Sequence, residues 1–121
     1  MFRKLLAICF SRHLFEIVLS TWFAFTTPVF AADLATNLEG GAKLFEVQCA
    51  GCHANGGNIV RRGKTLKLKA LEHNGYASIE TISDIITKGK GNMSAYKDRL
   101  SQSEIEDVAA YVLDRANKDW R

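Results

Sequence analysis

Three cysteines, three histidines, two methionines and a single proline are all that 121 residues contain of the types that ligate, bridge or break a chain. Charge of one sign is just as scarce. With 16 Lys and Arg against 13 Asp and Glu the formal balance is +3, and the basic residues are spread along the chain rather than blocked together. That excludes the electrostatic footprint of a nucleic-acid-binding protein. There is no internal repeat, low-complexity tract or strand pair. Hydrophobic content of 47% and charged content of 24% sit at globular averages, which excludes a disordered tail and a fibrous repeat. The length leaves room for one small domain and not for a multidomain enzyme.

A long apolar run is also missing. Arg12, His13 and Glu16 interrupt the apolar N-terminal region, and the clean stretch falls short of the roughly 18–20 residues a membrane span needs. Residues 1–31 read instead as a secretory signal. Phe2-Arg3-Lys4 is the basic start, Leu5 to Phe10 and Ile17 to Phe25 are the apolar region, and Val29 and Ala31 are the small residues ahead of the cleavage point. Cleavage after Ala31 is predicted, leaving 32–121 as a single domain with no membrane span. Removal takes Arg3, Lys4, Arg12 and Glu16 from the totals, so 13 basic and 12 acidic residues remain on 90. Cys9, His13, Met1 and Pro28 go too, leaving two cysteines, two histidines and one methionine. A domain of this size gains only modest stability from its core, so a bound cofactor offering apolar contact would help it fold.

The sequence supplies a site for one. Cys49-Ala50-Gly51-Cys52-His53 is the C-x-x-C-H pattern of covalent haem c attachment. Two thiols separated by two residues on one turn can each add to a porphyrin vinyl group, and the adjacent imidazole then lies under the iron. A thioredoxin-like pair should open a helix after a strand, whereas this pair ends a helical pattern. A zinc site would need two more ligands, and only His73 remains as a conventional one. For the distal position there are two candidates. Met93, in the glycine-rich stretch Lys88-Gly89-Lys90-Gly91-Asn92-Met93, lies outside any periodic apolar pattern and is favoured; His73 is the rival, giving bis-histidine ligation and a lower potential.

The remainder reads as helix. Leu34, Leu38, Gly41, Ala42, Phe45 and Cys49 recur at three and four residues and lead into the haem motif. Ser101-Gln102-Ser103-Glu104 is a capping box, with Leu100 and Ile105 as the staple around it. Ile105, Val108, Ala109, Val112 and Leu113 follow as a helical stripe, with Asp114, Arg115 and Lys118 largely outside it. This last helix is expected to cross the first, Gly41 allowing close approach and Phe45 meeting Tyr111. Between them, Thr65 to Glu72 reads as a short helix stopped near Asn74-Gly75. Ser78 caps a further one carrying Ile79, Ile82, Ile85 and Ile86, ended by Gly89. The fold class is all-α, about four helices around one haem.

The ordered set of motifs resembles the class I cytochromes c, and within them the cytochrome c6 group, over nearly all of 32–121. It is carried by Ala32-Asp33-Leu34, Gly41-Ala42-Lys43-Leu44-Phe45, Cys49 to Ala54, Lys64-Thr65-Leu66, Asn74-Gly75-Tyr76, Thr87 to Met93, Asp98-Arg99-Leu100-Ser101, Ala109-Ala110-Tyr111-Val112 and Trp120. The resemblance implies one covalent haem c on Cys49 and Cys52, with His53 and Met93 as axial ligands. It implies a monomeric one-electron carrier, not an enzyme, in the thylakoid lumen. Its donor would be cytochrome f of the cytochrome b6f complex, and its acceptor photosystem I or a terminal oxidase. An Arg near the ligand loop helps docking in the cyanobacterial members, and Arg99 matches its place; solvation is the plainer role for it, as for Arg61, Arg62 and Lys64, though Lys64 is also placed to meet a haem propionate. Two departures stand out. Ser94 follows Met93 where the family usually has proline, and Val60-Arg61-Arg62-Gly63 stands where many have the proline whose carbonyl accepts the proximal imidazole N–H. They leave open a c6-like relative, or a bacterial periplasmic cytochrome, with an altered potential and another partner. N-terminal sequencing of the exported protein should begin at Ala32; a chain that still carries residues 1–31 would overturn the cleavage.

Overall fold

The computed structural model describes residues 36–121, so the cleavage point after Ala31, the Ala32-Asp33-Leu34 start and Leu34 as the first residue of the apolar stripe all lie outside the described residues. Among the described residues, four helices of seven residues or more run in the order α1 (Leu38–Gln48), α3 (Leu68–Asn74), α4 (Ile79–Lys88) and α5 (Gln102–Asn117). A single turn, α2 (Ala50–His53), follows α1 and runs on into a tighter turn at Ala54–Gly56. Among the described residues the one extended pairing is an isolated antiparallel bridge between Lys90 and Met93. The fold is all-α, as the periodicity requires.

Local chemistry sets the helix ends. The Asn37 side chain accepts from the Gly40 amide at 2.9 Å and starts α1. Ser78 does the same for Thr81 at the head of α4, and Gly89, at φ 72°, ends that helix. At α5 both halves of the capping box form: the Ser101 hydroxyl accepts from the Glu104 amide, and the Ser101 amide donates to the Glu104 carboxylate at 2.8 Å. The Ser101 amide foremost, and the Ser101 hydroxyl, which also donates to the carboxylate at 2.8 Å, hold the Glu104 carboxyl below its ordinary range.

Packing is organised by the crossing of α1 and α5. A Cβ on Gly41 would lie 2.2 Å from the Asp107 carbonyl oxygen, so the two backbones touch there. The Asn37 amide, donating to the Asp107 carboxylate at 2.6 Å, ties the start of α1 to the same place. One turn on, Phe45 is buried with its ring centroid 5.4 Å from Tyr111, the pairing anticipated from the sequence, and 5.2 Å from Trp120. Trp120 reaches this cluster because Asp119 and Trp120 take φ of 55° and 60°, turning the chain back after α5 at a cost on the order of 1 kcal/mol each. Ile105, Val108, Ala109 and Val112 form the buried stripe of α5, and Ile82 and Ile86 that of α4.

Some readings shift. Leu38, one turn before the crossing, is 41% exposed, so the α1 stripe is buried only where Gly41 and Phe45 meet α5. The third helix starts at Leu68 rather than Thr65. The Leu66 amide donates to the Gly56 carbonyl at 2.8 Å and its own carbonyl accepts the Trp120 indole N–H at 3.0 Å, so neither group is free to begin a helix. It runs past Glu72 to Asn74, and Gly75 at φ 75° then caps it. Asp114 and Arg115 are half-buried rather than outside, and Leu113 only partly inside.

Gly41→Ala is expected to lower stability by about 3 kcal/mol, because backbone and not a movable side chain occupies the Cβ position; thermal unfolding measures it. A carboxyl whose folded value is depressed adds stability above its unfolded value and loses it as pH falls through the folded one. Glu104→Gln should therefore flatten the acid limb of a melting-temperature profile while leaving neutral and alkaline readings parallel to the parent.

Candidate functional site

The Cys49 amide closes α1 on the Phe45 carbonyl at 2.8 Å, and the Cys49 carbonyl then accepts from both Cys52 and His53, at 3.1 and 3.0 Å. The motif is thus one helical turn, with the two free thiols three residues apart on one face. Cys49 is half-buried and Cys52 exposed. Burial foremost, and then the neighbouring Cys52, push the Cys49 thiol up to about 11, opposite to the lowered value of a redox-active C-x-x-C pair.

His53 Nδ1 lies 2.9 Å from the Gly57 carbonyl oxygen. A carbonyl can only accept, so Nδ1 carries a proton, and in the neutral imidazole that a metal ligand must be, Nε2 is the nitrogen with the lone pair. The acceptor comes from Gly57, not from the 60–63 segment where the family pattern placed it. The reason is local: Asn55 at φ 50° and Gly56 at φ 72° reverse the chain immediately after His53. Beyond the reversal, Asn58 organises the loop. Its side-chain oxygen accepts from the Val60 and Arg61 amides at 3.0 and 2.7 Å, and its amide donates to the Lys64 carbonyl at 2.9 Å.

Cys49, Cys52, His53 and Met93 all line one cavity of about 320 Å³, whose apolar wall includes Leu71, Ile82, Ile86 and Val112. His73 does not line it; it sits exposed in the last turn of α3. Met93 is half-buried in a turn closed by two backbone hydrogen bonds with Lys90, at 3.0 and 3.1 Å. Gly89 makes that turn possible, since a Cβ there would stand 2.6 Å from the Met93 carbonyl oxygen. After Ser94, Tyr96 fastens the loop: its amide donates to the Ile86 carbonyl and its hydroxyl to the Gln48 carbonyl, both at 2.9 Å. The segment that follows Ser94 is thus tied by hydrogen bonds to both α1 and α4.

Lys64 also lines the cavity, with its ammonium donating to the Asn74 side chain, and Arg61 lies beside it. Arg99 is exposed, bonded to the Gln48 side chain at 2.7 Å and stacked 4.9 Å over the Tyr96 ring. Asn58, Tyr96 and Gln48 escaped sequence reasoning. An Asx turn and an aromatic shortly after the methionine are the signals that could have found the first two.

The residues fit a covalently held haem: two thiols on one turn, an imidazole with a free lone pair, a thioether from another segment and an apolar enclosure. Among the described residues no cluster of three His, Cys, Asp or Glu could hold a bare metal ion. Residues 36–112 match a family model described as cytochrome c oxidase, cbb3-type, subunit III. A cytochrome c6-like protein of Nostoc sp. (strain PCC 7120) is 52% identical over 106 residues, 88% of this chain and 96% of that protein. A cytochrome c6 of Synechococcus sp. (strain PCC 6312) is 48% identical over 104 residues, 86% and 88% of the two chains. The crystal structure of cytochrome c6C from Synechococcus sp. PCC 7002 superposes with a TM-score of 0.66 at 59% identity, covering 67% of this chain and 99% of that one. The chain belongs to the class I cytochromes c, of the cytochrome c6 type, electron carriers with covalently attached haem c and not enzymes.

Proposed function

We propose that Cys49 and Cys52 hold the haem through thioethers and that His53 and Met93 are its axial ligands. After removal of residues 1–31 the protein carries single electrons from cytochrome f of the cytochrome b6f complex to photosystem I in the thylakoid lumen. What supports the ligand set is one observation: these four side chains share a cavity that the rival ligand His73, exposed on α3, does not reach.

When bound, the haem supplies a one-electron couple. The chain does the rest. His53, its ring oriented by Gly57, and Met93, held in its turn by Lys90 and Tyr96, would occupy both axial positions and leave none for a substrate. The apolar walls exclude water, which disfavours the more highly charged ferric form. Near the motif, Ile59 and Val60 are 73% and 57% exposed, and the Ile59 amide is bonded to the Cys52 carbonyl at 3.1 Å. They offer an apolar rim for partner docking, and the exposed Arg99 offers a cation.

A second reading rests on Ser94 and on the c6-like and c6C relatives: an altered potential, with a terminal oxidase or another partner as acceptor, and the periplasm as an alternative site.

Met93→Ala should remove the red sulfur-to-iron charge-transfer band of the oxidised protein and let the reduced protein bind carbon monoxide. His73→Asn should leave both properties as they are; the reverse pattern overturns the ligand set. An equilibrium redox titration separates the two functional readings, since photosystem I donation requires a potential at least comparable with that of cytochrome f, and a clearly lower value favours the second.

A further inference from the structure

Trp120 stands at the end of an unbroken set of contacts that begins at His53. The imidazole Nδ1 donates to the Gly57 carbonyl at 2.9 Å, and Gly57 follows Gly56 in the left-handed reversal. Gly56 is buried directly beneath the Trp120 indole: a Cβ on it would come within 2.4 to 2.5 Å of three indole atoms. The Gly56 carbonyl accepts from the Leu66 amide at 2.8 Å, and the Leu66 carbonyl accepts the indole N–H at 3.0 Å. One side chain therefore covers the reversal from above and fixes the segment it is paired with. It does so through a strained approach, since Asp119 and Trp120 are consecutive non-glycine residues at φ 55° and 60°, held by the Trp120 amide donating to the Arg115 carbonyl at 2.7 Å. Such backbone persists only where its surroundings impose it.

We propose that Trp120 is a positioning residue for the proximal ligand: it clamps Gly56 and Leu66 so that the Gly57 carbonyl stays in line with His53 Nδ1–H. This rests on His53 being an axial ligand. The hydrogen bond at Nδ1 makes the imidazole a stronger donor, which favours ferric iron. Loosening the clamp weakens that bond and shifts the potential upward. The role is distinct from the indole's contribution to the Phe45 and Tyr111 cluster, which is ordinary core packing.

The test uses the haem-loaded protein and three variants. Trp120→Leu removes both ring and donor, Trp120→Phe keeps a ring over Gly56 without the N–H, and Tyr111→Leu removes a ring from the same cluster while leaving the Trp120, Gly56 and Leu66 contacts in place. Two properties are read: the reduction potential, and the exchange rate of the His53 Nδ1 proton in the reduced, diamagnetic protein by nuclear magnetic resonance. Trp120→Leu should raise the potential and speed exchange about tenfold, the change that loss of roughly one hydrogen bond produces. Trp120→Phe should fall between it and the parent, and Tyr111→Leu should lower the melting temperature without moving either reading. Equal effects from Trp120→Leu and Tyr111→Leu, or a lowered melting temperature with unchanged potential and exchange in Trp120→Leu, overturn the proposal. Porphyrin ring-current shifts on the His53 side chain of the parent check the ligation itself, and their absence overturns the ligand assignment and this proposal together.

Discussion

The contact between the backbones of α1 and α5 at Gly41 and Asp107 is the constraint from which the rest of the molecule follows. Only a residue without a Cβ allows it. With the helices that close, Phe45 one turn further along α1 is driven between Tyr111 and Trp120, and Cys49 another turn on is placed at the mouth of the cavity. The absence of a side chain at Gly41 thus positions the Cys49–His53 motif relative to α5. A larger residue would part the helices and misplace both.

The cavity is built by segments that have little regular structure of their own. The loop after His53 is shaped by Asn55, Gly56 and Asn58, and the methionine loop by Gly89, Lys90 and Tyr96. Each is fastened to a helix or a distant residue by backbone hydrogen bonds rather than by proline, of which residues 32–121 have none. Two rigid helices carry the frame, and two hydrogen-bonded loops bring the candidate ligands to it. An apolar cofactor filling about 320 Å³ at the centre would supply contacts that a domain this small cannot provide from its own side chains.

Much of this was legible because it is local. A capping box needs only Ser101 and Glu104 three positions apart in one chain segment, and a helical stripe needs only the spacing of Ile105, Val108, Ala109 and Val112. The C-x-x-C-H pattern is legible for the same reason, since its chemistry is completed within one turn. Leu66 was misread as helical because its hydrogen-bond partners, Gly56 and Trp120, are 10 and 54 residues away. Tyr96 was missed because its significance lies in the Gln48 carbonyl, 48 positions earlier.

By itself, then, the sequence determined the helical class, the helix ends at Ser78, Gly89 and Ser101, and the thiol and imidazole set, since each depends on residues within a turn or two of one another. Tertiary structure alone decided that Met93 and not His73 lines the cavity, that Gly57 supplies the carbonyl to His53, and that Trp120 folds back over Gly56. Those outcomes turn on where loops meet after the helices have packed. No local periodicity encodes such meetings, because they are set by the summed geometry of the whole chain.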